Sequence, residues 1–428
     1  MTSNPPAQSG PDPEQTPGPQ PAGRTAARGP AVWLSSAALL TALTALAVAL
    51  ADNDDDSTGI VPGATQAGPH STWSVRPGTL PTDADTDAGP PEPATAGTET
   101  GTGAPAPEHT ATPTPGGPVA PPAPSRETDC PPATITVTDT RSLQRALADA
   151  RPGDNIRLTP TTYTGRFTAT TPAAKNKPIT LCGPSDAVLD GDGIKGGYAL
   201  HLNRATHWRI TGFTIRNAQK GVMADSTHHT TLNNLTVHDI GDEAIHFRNH
   251  STQNTIRHNT IHTTGLRKPK YGEGIYIGTA KSNWCTVTQC QPDNSDDNRI
   301  TNNHITKTTA EAIDIKEGTS NGTITHNIFD GTYLNGKHND SWIDIKGNDW
   351  LIQNNTGHNT PQDGYQTHQV LKGWGVRNTF DNNTAHVNGP GYGYNLTAKN
   401  NTLTCTNTTV NAAQGHTNTN GRCGKGRS

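Results

Sequence analysis

Glu311-Ala-Ile-Asp-Ile-Lys316 is the stretch whose reading decides the fold, because the chain repeats it with variation. Related phrases are Glu243-Ala-Ile-His-Phe-Arg248, Glu273-Gly-Ile-Tyr-Ile-Gly278 and Ser341-Trp-Ile-Asp-Ile-Lys346. Each alternates apolar and polar residues, the period of a strand with one buried face. Between the copies runs a second phrase: Ile256-Arg-His-Asn259, Ile300-Thr-Asn-Asn303, Ile324-Thr-His-Asn327, Ile352-Gln-Asn-Asn355 and Phe380-Asp-Asn-Asn383. A strand–turn–strand unit of this kind cannot bury its apolar face alone and must stack on its neighbours.

The apolar residues Ile210, Leu232, Ile256, Ile300, Ile324, Ile352 and Phe380 are spaced by 22, 24, 44, 24, 28 and 28 residues. A coil of about 22–24 residues explains the short intervals, and loop insertions explain the long ones. The expected fold is therefore all-β, a single right-handed parallel β-helix of eight to ten coils. The Asn three residues after each apolar position reads as structural: a column of inward side chains bonded to one another along the axis. At the start of the domain, Thr134-Ile-Thr-Val137 reads as a strand and Ser142 to Ala150 as a short amphipathic helix. This opening resembles the helical cap of pectate-lyase-like β-helices.

The chain has 428 residues, but composition confines the folded part to about 130–424. Residues 1–30 are rich in Pro, Gly and Ala and form a disordered cytoplasmic leader in this reading. Ala31 to Ala51 is uncharged and mostly apolar, about 31 Å long as a helix, enough to span a bilayer. Arg24 and Arg28 before it, and Asp52, Asp54, Asp55 and Asp56 after it, place everything downstream outside the cell. Ala49-Leu50-Ala51 also fits a signal-peptidase site, so the segment is a membrane anchor or a cleaved signal. Residues 52–129 are Pro, Thr, Gly and acidic residues with few large apolar groups: a disordered spacer.

Six cysteines (Cys130, Cys182, Cys285, Cys290, Cys405, Cys423) all fall in the folded part. An even count beyond an export segment points to disulfides. Six allow fifteen pairings, and proximity along the chain favours Cys130–Cys182, Cys285–Cys290 and Cys405–Cys423. A formal net charge of -4 with dispersed basic residues gives no nucleic-acid footprint. The expected state is an extracellular monomer.

With the isoleucines inward, the residues between them face outward and stack about 4.8 Å apart. One column is His201, Met223, His246, Tyr276, Asp314, Asp344, Gln366; the next is Asn203, Asp225, Arg248, Gly278, Lys316, Lys346, His368. Asp314, Lys316, Asp344 and Lys346 thus form a square of two acids and two bases. Glu243, Glu273 and Glu311 make a third column, and Trp342 is expected outward beside the square. An exposed groove of charged groups with a flat aromatic suits an acidic polysaccharide, and stacked glutamates suit Ca²⁺, which takes oxygen ligands.

Glu311-Ala-Ile-Asp-Ile-Lys316 followed by Thr323-Ile-Thr-His-Asn327-Ile-Phe329 resembles the signature coil of the alginate lyase and chondroitinase B group of polysaccharide lyases. The resemblance implies β-elimination on a uronate-containing glycan, with Glu311 a calcium ligand and Lys316 the base. Lys346-Gly347 stands where that group has a catalytic Arg before Gly, and Tyr271-Gly-Glu273 where it has Asn-Gly-Glu. Lys346 is then the carboxylate neutraliser, Glu273 a second metal ligand, and His368 or Tyr276 the proton donor; Arg248, Asp314, Asp344, Trp342 and Trp374 are expected at the substrate. Two other readings stand beside it: hydrolysis by Asp314 and Asp344 as paired carboxylates, and non-catalytic glycan binding through Trp342, Trp374 and the charged sheet.

Overall fold

The computed structural model describes residues 130–336, 339–419 and Cys423. The expected leader, the Ala31–Ala51 apolar helix and the spacer lie outside the described residues, among which no helix is long and apolar enough to cross a membrane. Three parallel sheets run the length of the domain, one of 11 strands and two of 10. Each strand pairs with the strand one coil further on, so the chain winds through the three sheets in turn as a parallel β-helix. The stack exceeds the expected eight to ten coils. Ile135–Val137 already pairs with Asn155–Leu158, and pairing continues past Phe380 to Thr402–Leu403 and Gly415–Thr417.

The first sheet holds the second phrase, with Ile210, Leu232, Ile256, Ile300, Ile324, Ile352 and Phe380 in register. The third sheet holds the first phrase: Ile245–Arg248, Ile275–Ile277, Ile313–Ile315, Ile343–Ile345 and Tyr365–Thr367. Their isoleucines and Phe247 are fully buried. The helix spans Thr140–Ala148, two residues earlier than the pattern implied, because Asp139 caps it. Its carboxylate accepts from the Ser142 backbone N–H at 2.9 Å, and the Ser142 hydroxyl accepts from the Asp139 N–H at 3.1 Å, a reciprocal capping box. Leu143, Ala146 and Leu147 are buried, and the helix packs against the first coil.

The Asn column is continuous. Nδ2 donates to the next Oδ1 from Asn259 to Asn303 (2.9 Å), Asn327 (3.0 Å), Asn355 (2.9 Å), Asn383 (2.9 Å) and on to Asn407 (3.0 Å). The residue before each of the first five (His258, Asn302, His326, Asn354, Asn382) has φ between 52° and 57°, the left-handed conformation that Asn and His enter most readily. A second, shorter ladder joins Asn254 to Asn298 at another corner. The three disulfides pair as proximity suggested: Cys130–Cys182, Cys285–Cys290 and Cys405–Cys423.

Trp342 is the main correction. It is not outward but fully buried, its indole N–H donating to the carbonyls of Asn359 (2.7 Å) and His358 (3.1 Å). The strand Ile343–Ile345 has only three residues, and Trp342 precedes it at the corner, where alternation no longer holds. Gly331, Gly357 and Gly364 make room: a Cβ on any of them would lie 2.3–2.8 Å from the indole. Replacing Trp342 with Ala is expected to cost about 3–5 kcal/mol, the range for emptying a buried aromatic site. Chemical denaturation checks this, and a loss below about 1 kcal/mol would contradict the packing.

Candidate active site

The outward column of the third sheet stacks as expected: Tyr276 on Asp314, Asp314 on Asp344 and Asp344 on Gln366. Three-residue strands end just before Lys316 and Lys346, so both side chains fold back over the acids. Lys316 Nζ lies 2.5 Å from Asp314, and Lys346 Nζ lies 2.8 Å from Asp314 and 2.7 Å from Asp344. His368 Nδ1 lies 2.8 Å from Asp344. The square is thus an alternating row, Lys316–Asp314–Lys346–Asp344–His368. It is not the open, solvated face expected: the side chains are 2% exposed at Asp314, 14% at Lys316 and 39% at His368. The acids lie at the floor, and only His368 is substantially open to solvent. Asp314 and Asp344 therefore hold the ammoniums in place.

Tyr276 is half-buried, with Lys316 Nζ 4.8 Å from its ring centroid and His246 against it at 4.4 Å. Arg248 belongs to a second acid–base row on earlier coils, bound to Asp225 at 2.9 Å, which also holds His201 at 2.8 Å. Trp374 is half-buried in the loop after Tyr365–Thr367.

At the corner before these strands, Glu243, Glu273 and Glu311 are buried. Carboxylate oxygens of Glu273, Glu311 and Asp314 lie within 4.8 Å of one another. Burial, then the charge of Asp314, pushes the Glu311 carboxyl up to about 8. Burial and the carboxylates of Glu243 and Glu311 push Glu273 well above the usual range. Glu273 Oε2 is buried with no hydrogen-bond partner. An all-oxygen donor set, mutually repelling and incompletely paired, fits a hard divalent cation such as Ca²⁺.

Stability should report this. A carboxyl whose folded pKa is raised to about 8 stabilises the fold fully only below its unfolded pKa near 4.3, and that stability is lost as pH rises from there towards 8. With chelator present the melting temperature should fall from pH 5 to pH 8, and added Ca²⁺ should raise it more at pH 8 than at pH 5. A calcium response independent of pH would rule these carboxylates out as the ligands.

Burial would lower the Lys316 pKa, but Asp314, Glu273 and Glu311 outweigh it and hold the ammonium charged well above the usual lysine range. Lys346 is likewise raised by Asp314 and Asp344 against its burial. Burial, then the charges of Asp314 and Glu273, pushes the Tyr276 phenol well up, so it stays protonated. The hydrogen bond to Asp344 raises His368 despite partial burial.

Tyr271 and Tyr333, 39% and 57% exposed on loops flanking this site, are aromatics that the strand alternation does not mark. Their signal was present, since both interrupt insertions at the same corner of the coil, but an exposed loop tyrosine has no periodicity to mark it.

A long stack of parallel coils with a charged row on one sheet defines the molecule as a β-helix protein of the pectate-lyase-like kind. The family model described as "Right handed beta helix region" matches residues 188–295. An alginate lyase from Paenibacillus sp. str. FPU-7 is 36% identical, with 67% of this chain and 99% of that chain covered and a TM-score of 0.61. By that match the chain belongs to the same family of carbohydrate-active right-handed parallel β-helices. Pectate lyase Pel9A is 17% identical over 61% of this chain and 72% of its own, TM-score 0.41. A polygalacturonase from Erwinia carotovora ssp. carotovora is 14% identical over 67% and 98%, TM-score 0.43. No curated protein sequence matches the chain.

Proposed function

We propose that this protein is an exported polysaccharide lyase that cleaves an acidic, uronate-containing glycan by β-elimination. The observation that carries the reading is the Lys316–Asp314–Lys346 row beside Tyr276, in a chain 36% identical to an alginate lyase along that enzyme's length. β-Elimination must neutralise a uronate carboxylate, remove the proton on the carbon beside it and protonate the leaving oxygen. Lys346, charged and fixed by two acids, suits the first task.

Lys316 suits the second once the charge of its acidic neighbours is offset, for these are what raise its pKa. Its neutral amine takes the proton, the carbon–carbon double bond forms, and the glycosidic C–O bond breaks. Tyr276 keeps its proton at any working pH and gives it to the leaving oxygen. The ammonium of Lys316 then releases the abstracted proton to solvent, the Tyr276 phenolate takes one from solvent, and both groups are reset. Glu273, Glu311 and Asp314 would hold Ca²⁺, which would supply the positive charge that offsets those acids.

Hydrolysis by Asp314 and Asp344 fares worse. Lys346 and His368 outweigh burial and hold the Asp344 carboxyl below its usual range, so it is not a proton donor, and Asp314 is shared by two ammoniums. Glycan binding through Trp342 has no support, since the indole is in the core. Three disulfides support an oxidising, extracellular setting, and the anchor or signal at Ala31–Ala51 remains part of this proposal. The test is incubation with alginate, polygalacturonate, glucuronan and glycosaminoglycans, with and without Ca²⁺, followed at the ultraviolet absorbance of unsaturated uronates. Saturated products, or none from any polymer, would overturn the lyase assignment.

A further inference from the structure

Two insertions leave the helix at the same corner, between the second and third sheets. Residues 263–274 lead into Ile275–Ile277, and residues 331–342 lead into Ile343–Ile345. The coil between them, which carries Lys316, has only a short connection there. The insertions therefore stand on either side of the candidate active coil, and their ends run directly into Glu273 and Trp342.

Their exposed charged and aromatic side chains, among the described residues, are lysines and tyrosines. Lys268, Lys270 and Tyr271 are exposed on the first insertion, with Lys268 Nζ 5.8 Å and Lys270 Nζ 5.0 Å from the Tyr271 ring centroid. Tyr333 is exposed on the second, and Lys307 Nζ from the intervening coil stands 6.0 Å from its ring. Among the described residues of 263–274 and 331–342 no acidic side chain is fully exposed: Glu273 is buried, and Asp340 is half-buried and accepts from the Gln366 amide at 3.0 Å. At the opposite corner, after the third sheet, the exposed charged side chains include an acid, Asp297.

The rim is also held in place. Arg267 grips Asp242 through two hydrogen bonds, at 3.0 and 2.5 Å. The Thr309 hydroxyl donates to the Pro269 carbonyl at 2.8 Å, and the Asn335 N–H donates to the Thr309 carbonyl at 2.8 Å, which ties both insertions to the coil between them. Gly265 and Gly272 pinch the first loop shut, because a Cβ on Gly272 would lie 2.6 Å from Gly265 Cα. A surface ordered beforehand loses little entropy on binding.

We propose that Lys268, Lys270, Tyr271, Lys307 and Tyr333 form a docking rim for uronate residues of the glycan that lie beyond the bond being broken. A pyranose ring carries an apolar C–H face, which suits an exposed phenol, and a uronate adds an anion, which suits an ammonium beside that phenol. The rim accounts for chain-length preference: a polymer reaches both the catalytic row and the rim, whereas a short oligosaccharide reaches only the row. The inference rests on the acidic-glycan reading but not on the elimination chemistry.

The test separates the two. Full-length protein carrying Lys316→Arg, which is expected not to turn over, is titrated with polymannuronate, polyguluronate, polygalacturonate and glucuronan, with neutral dextran as control. Adding Lys268→Ala, Lys270→Ala and Tyr271→Ala should weaken polymer binding about tenfold and flatten its salt dependence. The charge-matched pair Lys175→Ala and Lys177→Ala, exposed on a different connection, should leave it within about twofold. In the otherwise native enzyme the triple variant should raise KM for polymer about tenfold with kcat kept, and leave a trisaccharide unaffected. Equal loss in the Lys175/Lys177 control, unchanged binding by the triple variant, or no binding of any acidic polymer overturns the rim. Rim-dependent binding without unsaturated product from any polymer supports the rim and sinks only the lyase reading.

Discussion

Lys316→Ala should reduce turnover of an acidic glycan by about a thousandfold or more, because it deletes the group assigned to remove the proton. Stability should also fall, since Lys316 is largely buried and ion-paired to Asp314 at 2.5 Å. The loss should be moderate, about 1–3 kcal/mol, because Asp314 keeps Lys346 at 2.8 Å. Lys316→Arg is therefore the decisive companion. Guanidinium restores the positive charge over Asp314 and much of the stability, but does not deprotonate in the working range and cannot serve as base. The expected result is near-native melting with turnover still lost. An Arg variant of near-native activity would show that position 316 acts only by charge, and would move the base elsewhere on the row. A variant as unstable as Lys316→Ala would mean that geometry, not charge, holds the floor of the site together.

Period-2 alternation and the recurrence of one phrase were enough to read the fold, because a stacked coil repeats one local structure many times and averages out its irregularities. The same register placed Tyr276, Asp314 and Asp344 in one column, with Lys316 and Lys346 just past the strands. Depth was not legible. Alternation distinguishes inward from outward residues, yet an outward residue on a walled face is still buried, as Asp314 is. Trp342 failed for a related reason: strands of three residues leave corner positions outside the alternation. Its signal was the column of small residues at the matching places, Ala244, Ala312 and Gly364, which mark an inward corner where only one bulky side chain fits at a time. The pKa of Lys316 could not be signed from sequence either, because burial and carboxylates act in opposite directions and only the distances decide between them.

The other large effect lies far from the chemistry. Asn327→Ala should destabilise the domain by about 3–5 kcal/mol, although it removes only an amide. Asn327 is fully buried in the middle of the ladder. Its Oδ1 accepts from the Asn303 backbone N–H at 2.9 Å and from Asn303 Nδ2 at 3.0 Å, while its Nδ2 donates to the Ile300 carbonyl at 3.0 Å and to Asn355 at 2.9 Å. Alanine strands several of these groups in a fully buried site, and each costs about 1–3 kcal/mol unpaired. Neighbouring rungs share partners, so Asn327→Ala and Asn355→Ala together should cost less than the sum of the singles; the bond between them is lost only once. Thr325→Ala, two residues away on the half-buried face of the same strand, is the control and should shift stability by about 0.5–1 kcal/mol. Equilibrium denaturation of the four variants decides the matter. Strict additivity would mean that the asparagines act as separate turn caps and that the column contributes nothing as a connected ladder.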